Sequence, residues 1–174
     1  TFGIAGGSVD VAALVDLSAA AMVLNLNSGG LLSNAQNLTI PNTFNIGTAT
    51  LSGPGLFTTP AGSITTMDDP TITNLAWLNQ GIVNWIPINT STSDFTLNTA
   101  TFTNQGTLLL QNLNAGSTVF TAGGGTLIND VTGILNANPT TNLTISTVFT
   151  NNATTGFFNT LSGTTQLNNA ANTN

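Results

Sequence analysis

The stretch FTNQGTLLLQN, residues 102–112, decides how this chain is read. An aromatic residue precedes a polar Thr-Asn-Gln step; then come Gly106, Thr107 and three leucines. Looser versions recur as NSGGLL (27–32), FNIGTATL (44–51), LNQGIV (78–83), GGGTLI (123–128), VTGIL (131–135), TTGFF (154–158) and LSGTTQL (161–167). The shared phrase is a polar pair, a glycine and an aliphatic residue within two positions. Gly62, Gly81, Gly106 and Gly125 follow one another at nearly regular intervals, and Gly133 and Gly156 repeat the spacing. Periods of roughly 20 to 25 residues fit one coil of a solenoid. In that reading Gly or Asn takes a turn at positive φ and the next aliphatic residue points into the core.

Between the glycines the alternation has the period of a strand. NLTI (37–40), FNIGTATL (44–51), TITNL (71–75), DFTLNTATF (94–102), TNLTI (141–145) and TTQL (164–167) all alternate. Thr, aromatic and β-branched residues favour strands, and frequent Gly and Asn favour short ones joined by tight turns. Read as one strand, DFTLNTATF puts Phe95, Leu97, Thr99 and Thr101 on one face and Thr96, Asn98, Ala100 and Phe102 on the other. The expected fold is all-β, a single domain over residues 1–174. A parallel β-helix, or solenoid, is the first expectation. A β-sandwich or jelly roll is the alternative, since its short strands also bring a turn at frequent, regular intervals.

The opening segment has another texture. SVDVAALVDLSAAAMVLNLN (8–27) has no turn signal before Ser28-Gly29-Gly30. As a strand it aligns Val9, Val11, Ala13, Val15 and Leu17 on one face; as a helix it aligns Val11, Leu14, Val15, Ser18, Ala19 and Met22, and its Ala run favours that form. Residues 1–24 are therefore either an ordinary first element, a helical cap over the open end of a solenoid, or an arm that donates a strand to a neighbouring copy.

Composition narrows the chemistry. The chain of 174 residues holds 33 Thr and 25 Asn, six Asp, and no Lys, Arg, His, Glu, Cys or Tyr, for a formal net charge of −6. Leu, Ile, Val and Phe number 49, which is enough for a packed core and argues against disorder. Side-chain salt bridges have no cation to form with. Acid denaturation works mainly through paired carboxylates and buried histidines, so a fold nearly indifferent to acid is expected. Phosphate backbones and anionic membrane surfaces are recognised through Lys and Arg, so neither is an expected partner. No run reaches the roughly 18 apolar residues of a membrane-spanning helix, and no basic, then apolar, leader opens the chain. The absence of cysteine removes disulfide and thiol chemistry.

The same inventory argues against an enzyme. General acid–base catalysis has only Asp to draw on, and a Ser or Thr nucleophile has no His or Lys beside it. Asp68 and Asp69 are adjacent, and neighbours on a strand face opposite ways. No cofactor is expected. Asp68, Asp69 and Asp94 are the calcium candidates, because calcium takes carboxylate and carbonyl oxygens; a solvated turn before Pro70 is the plainer reading of the first two. Trp77 and Trp85 in LAWLNQGIVNW (75–85) either belong to the core or form an exposed face that stacks on sugars. Sequons at Asn37, Asn89, Asn142 and Asn152 are candidate glycosylation sites.

FTNQGTLLLQN, GGGTLINDVTGILNANP (123–139) and FTNNATTGFFNTLSGTTQL (149–167) resemble the degenerate repeats of bacterial surface adhesins, the parallel β-helices of filamentous haemagglutinin-like and autotransporter passenger proteins. The resemblance spans roughly residues 25 to 170. It implies an extracellular, non-enzymatic role in adhesion or surface structure. The lack of any Lys departs from that pattern. Residues 8–24 also resemble the donated strand of surface filament subunits, with Val9, Val11, Ala13, Val15 and Leu17 as the assembly face. The expected function is thus a structural protein outside the cell that polymerises with copies of itself through strand edges. The alternative is a module that binds surface glycans through Trp77 and Trp85.

Overall fold

A computed structural model describes residues 1–19, 21–87, 94–112, 118–120, 122–139, 142–161 and 163–167. The chain winds as a parallel β-solenoid, and no described residue is helical. The first coil holds β1 (Phe2–Ile4), β2 (Ser8–Val11) and β3 (Val15–Asp16). The second holds β4 (Val23–Leu26), β5 (Leu31–Asn34) and β6 (Leu38–Thr39), the third β7 (Thr43–Ile46), β8 (Thr50–Ser52) and β9 (Leu56–Thr59). The fourth holds β10 (Ile64–Met67), β11 (Thr71–Thr73) and β12 (Ala76–Asn79), the fifth β13 (Ile82–Trp85), β14 (Thr96–Asn98) and β15 (Thr101–Asn104). The sixth runs β16 (Thr107–Asn112), β17 (Thr118–Phe120), β18 (Ala122–Gly123) and β19 (Thr126–Asn129). Then come β20 (Ile134–Pro139), β21 (Asn142–Ile145) and β22 (Val148–Asn151), and last β23 (Phe157–Thr160) and β24 (Thr164–Leu167).

Equivalent strands of successive coils pair in parallel. The first face is the eight-stranded sheet β1-β4-β7-β10-β13-β16-β20-β23; the second is β2-β5-β8-β11-β14-β18; the third is β3-β6-β9-β12-β15-β19-β22. A short sheet, β17-β21-β24, stands beside the last coils. Coil length varies: the shortest step along the first face takes Ile64 to Ile82, the longest Thr107 to Ile134. The sandwich alternative is therefore set aside. A sandwich pairs antiparallel strands, whereas every pair among the described strands is parallel and about one coil apart.

Parallel stacking places like residues over like. Leu38, Phe57, Trp77, Phe102, Leu127 and Phe149 form one inward row on the third face, all buried. Ring centroids in this row are 5.1 Å apart for Phe57–Trp77 and 5.0 Å for Trp77–Phe102, and Phe44 and Phe95 close on it at 5.6 Å each. Tilted and edge-on contacts at such distances add to the burial of the rings themselves.

Corners cut the long alternations seen in the sequence. Asn74 and Thr99 both have φ 50°, in the left-handed region that few non-glycine residues adopt. Thr99 separates β14 from β15 and shifts the alternation by one residue. Phe95, Leu97, Ala100 and Phe102 are consequently all buried, so the expected split of Phe95 and Phe102 to opposite faces of one strand does not hold. The described residues of the opening segment form β2 and β3 of the first coil and β4 of the second, and none of them is helical.

Candidate functional site

The candidate assembly residues lie in the first coil. β2 pairs with β5 from Ser8–Leu31 to Val11–Asn34, and β3 with β6 through Val15–Leu38. Val9, Val11, Val15 and Leu17 pack, partly buried, on the chain's own core. Ala13 sits in a bend between the two strands and is exposed. The five residues thus do not share one strand face, and the segment is engaged with its own solenoid rather than held out as an arm. What the first coil presents outward is an edge: among the described residues β1, β2 and β3 pair on one side only.

Among the described residues, the inward rows end at Phe2 and at Leu167. Phe2 continues the row of Leu24 and Phe44, yet is 48% exposed where Leu24 is 4%. At the other end Leu167 continues the row of Ile145 and is 39% exposed where Ile145 is fully buried. Burial in a solenoid comes from the next coil, and among the described residues these two have a next coil on one side only.

Trp77 and Trp85 are buried, with 1% and 0% of their surface exposed. Trp77 Nε1 donates to Thr59 Oγ1 at 2.9 Å, and Trp85 Nε1 to the Asp68 carbonyl at 2.6 Å. Both polar edges are satisfied inside the protein, so no indole face is available to a sugar. This corrects the glycan-stacking alternative: the two residues lie on the inward side of β12 and β13, where alternation carries every second side chain into the core.

The carboxylates lie at corners and at the start of the winding. Asp68 borders a groove of about 340 Å³ beside the first face, with Asn27, Asn45, Thr66, Met67 and Ile86. Asp69 borders a second, of about 400 Å³, beside the second face, with Gly29, Thr48, Thr50 and Thr71. The neighbours therefore face opposite sides of one corner. Asp94 belongs to the next coil. Thr71 pairs with Thr96 and the Thr96 amide donates to the Pro70 carbonyl at 3.0 Å; Asp94 lies two residues before Thr96, and Asp69 in the bend before Pro70. Burial, and then the charge of Asp69, push the Asp94 carboxyl above the usual aspartate range. No group of three or more metal-ligating acidic, His or Cys side chains exists among the described residues, so Asp68, Asp69 and Asp94 form no such cluster.

Asn37 and Asn152 are exposed beside strands. Asn142 begins β21, its side chain outside the described set, and Asn89 lies outside the described residues. The fullest polar feature was legible only as a phrase. In LNQG, TNQG and their later relatives the Asn starts a buried ladder: Asn79 Nδ2 donates to Asn104 Oδ1 at 2.7 Å, Asn104 to Asn129 at 2.8 Å, and Asn129 to Asn151 at 2.9 Å. Asn79, Asn104 and Asn129 also donate to the Thr107, Ile134 and Phe157 carbonyls. The ladder satisfies corner groups that solvent does not reach.

Three stacked parallel faces, an aromatic row and a corner amide ladder define the class: a parallel β-solenoid. No family model, no curated protein and no solved structure matches the chain.

Proposed function

We propose that this chain is an extracellular structural protein, a unit of a cell-surface filament or fibrous adhesin that joins copies of itself end to end. The observation that supports this reading is the exposure of Phe2 and Leu167 at the two ends of the described winding. Phe2 and Leu167 occupy positions that are buried one coil further in. A coil from a second copy, stacked in the same sense, covers them and continues the parallel ladder. Edge strands that stay soluble are usually blocked by Lys or Pro; β1, β2 and β3 carry neither. An edge-to-edge joint takes the place of strand donation from residues 8–24 in this reading, because β2 and β3 already pair with β5 and β6 of the same chain. The likeness of the repeats to adhesin passengers and the exposed sequons at Asn37 and Asn152 support the extracellular setting.

A head-to-tail contact is heterologous, and unless it closes a ring it extends into an open filament. Two variants test it by sedimentation velocity and negative-stain microscopy. The unaltered chain should lengthen with concentration. Phe2→Lys and Leu167→Lys should each stop growth, because each buries a cation in the joint. Mixed together, they should form dimers and nothing longer, since each retains one intact end. A chain that stays monomeric at every concentration, or variants that still elongate, would remove this reading.

A further inference from the structure

We propose that two copies of this chain pair side by side through the outer side of the first face, the apolar row of one copy lying on that of the other. The row is fixed by the register. Parallel pairing sets Val23, Ile64, Ile82, Ile134 and Phe157 at the same outward position of successive coils, with threonines at the coils between. Ile64, Ile82 and Phe157 are exposed. Two residues further along each strand runs an amide row, in which Asn45 donates to Asn25 at 2.8 Å and Asn159 to Asn136 at 2.9 Å. A continuous apolar row differs from the single exposed aliphatics of an ordinary surface and marks a contact site. Sheets that carry such rows beside amide ladders pack on their like, about 10 Å apart, through a dry interface.

Charge selects a second copy as the occupant. A chain of net charge −6 with no side-chain cation repels its own kind. The eight strands of the first face contain no Asp, whereas β2 of the second face holds Asp10 and β3 of the third holds Asp16. Asp68 and Asp130 stand outside those strands, at the corners before and after the face. Two first faces therefore meet without burying a carboxylate of either sheet. Area sets the strength. Eight strands at about 4.8 Å, each about four residues long at about 3.3 Å, cover roughly 500 Å² per copy. A standard interface takes about 800 Å² from each partner, so a single pair is weak. End-to-end stacking changes this. β1 and β23 are the two edges of the first face, so the face runs on from copy to copy, and each contact raises the effective concentration for the next. The doubled filament that results rests on the end-to-end reading above; the pairing of two copies does not.

The test uses the end-blocked chain, Leu167→Lys, in sedimentation equilibrium up to about 1 mM. It should show monomers and dimers and nothing larger. Added salt should tighten the dimer by screening the repulsion between two negative chains. Ile64→Asp or Ile82→Asp, added to Leu167→Lys, should each weaken the dimer about tenfold or more, and the neutral Ile82→Asn less so. Leu78→Asp, at the outward position of the third face between Thr58 and Thr103, should leave it intact. Filaments of the otherwise unaltered chain should be two copies wide in negative stain, and those of Ile82→Asp one copy wide. A dimer that survives both Asp variants, or is lost equally with Leu78→Asp, would overturn the pairing. Single-width filaments together with a monomeric Leu167→Lys chain would remove the pairing and leave the end-to-end joint. A Leu167→Lys dimer from a chain that never elongates would remove the joint and leave the pairing.

Discussion

Asn104 shows what a neutral side chain does in a chain without side-chain cations. It is fully buried. It accepts from Asn79, donates to Asn129 at 2.8 Å and donates again to the Ile134 carbonyl at 3.1 Å. A charged residue here would need a counter-charge that no side chain supplies, and an apolar one would strand its neighbours' polar atoms. Thr59 occupies the same row one coil before Asn79, where it accepts from Trp77 instead, so the row changes partner as it passes from hydroxyl to amide. Asn104→Ala leaves the Ile134 carbonyl and Asn129 Oδ1 without this donor. An unsatisfied buried group costs about 1 to 3 kcal/mol, so urea unfolding should show a loss of about 2 to 4 kcal/mol. Gln105, next in sequence, donates to Asp130 at 3.0 Å on the outside; its alanine variant is the control and should cost under about 1 kcal/mol. Equal losses at 104 and 105 would mean that the buried ladder contributes nothing beyond ordinary surface contacts.

At the scale of the element, the corners rather than the strands impose the strictest demand. Gly81, Gly106, Gly133 and Gly156 stack at the turn into the first face, and the Thr107, Ile134 and Phe157 amides donate to the Gly81, Gly106 and Gly133 carbonyls at 2.8 to 3.1 Å. A Cβ on Gly106 would run into the Gly81 carbonyl and lie 2.7 Å from the Gln80 carbonyl carbon. Backbone cannot yield there without breaking the ladder, so Gly106→Ala should cost more than about 2 kcal/mol in urea unfolding, as strained or overpacked sites do. Gly7, with nothing within 4 Å, should accept Ala at about no cost; similar losses at both positions would refute the close-approach argument. These residues also show what sequence could reveal. The spacing of about one coil and the strand composition were legible, while the solenoid stood as the first of two expectations, because a sandwich of short strands also turns at frequent intervals. The alignment of the glycines was not. Gly62 has φ 83° and lies one residue before the position that Ser63 fills, while Gly125 belongs to the corner into the third face. Similar spacing joined positions at two different corners, one of them out of register, since coil length varies and only pairing fixes which residues are equivalent.

Across the whole molecule, each coil touches chiefly its neighbours, so stability is a sum along one axis rather than a property of a single centre. The aromatic row lies in the middle, where Phe57, Trp77 and Phe102 are buried on all sides. Toward the start the core thins: Val9, Val11, Val15 and Leu17 are only partly covered and Phe2 stands half exposed. Local opening free energies follow contact density. Native-state hydrogen exchange on the dilute chain should therefore show most protection in β12 and β15, with a steady decline to β1, β2 and β3. The same measurement on concentrated chain tests whether the thin end serves as a joint. Stacking of a second copy would add a coil beyond Phe2 and raise protection selectively in β1 to β3, leaving β12 and β15 unchanged. Uniform protection from end to end in the dilute chain would show an all-or-none unit instead, in which the exposed end residues are too small a fraction of the core to drive one copy onto the next.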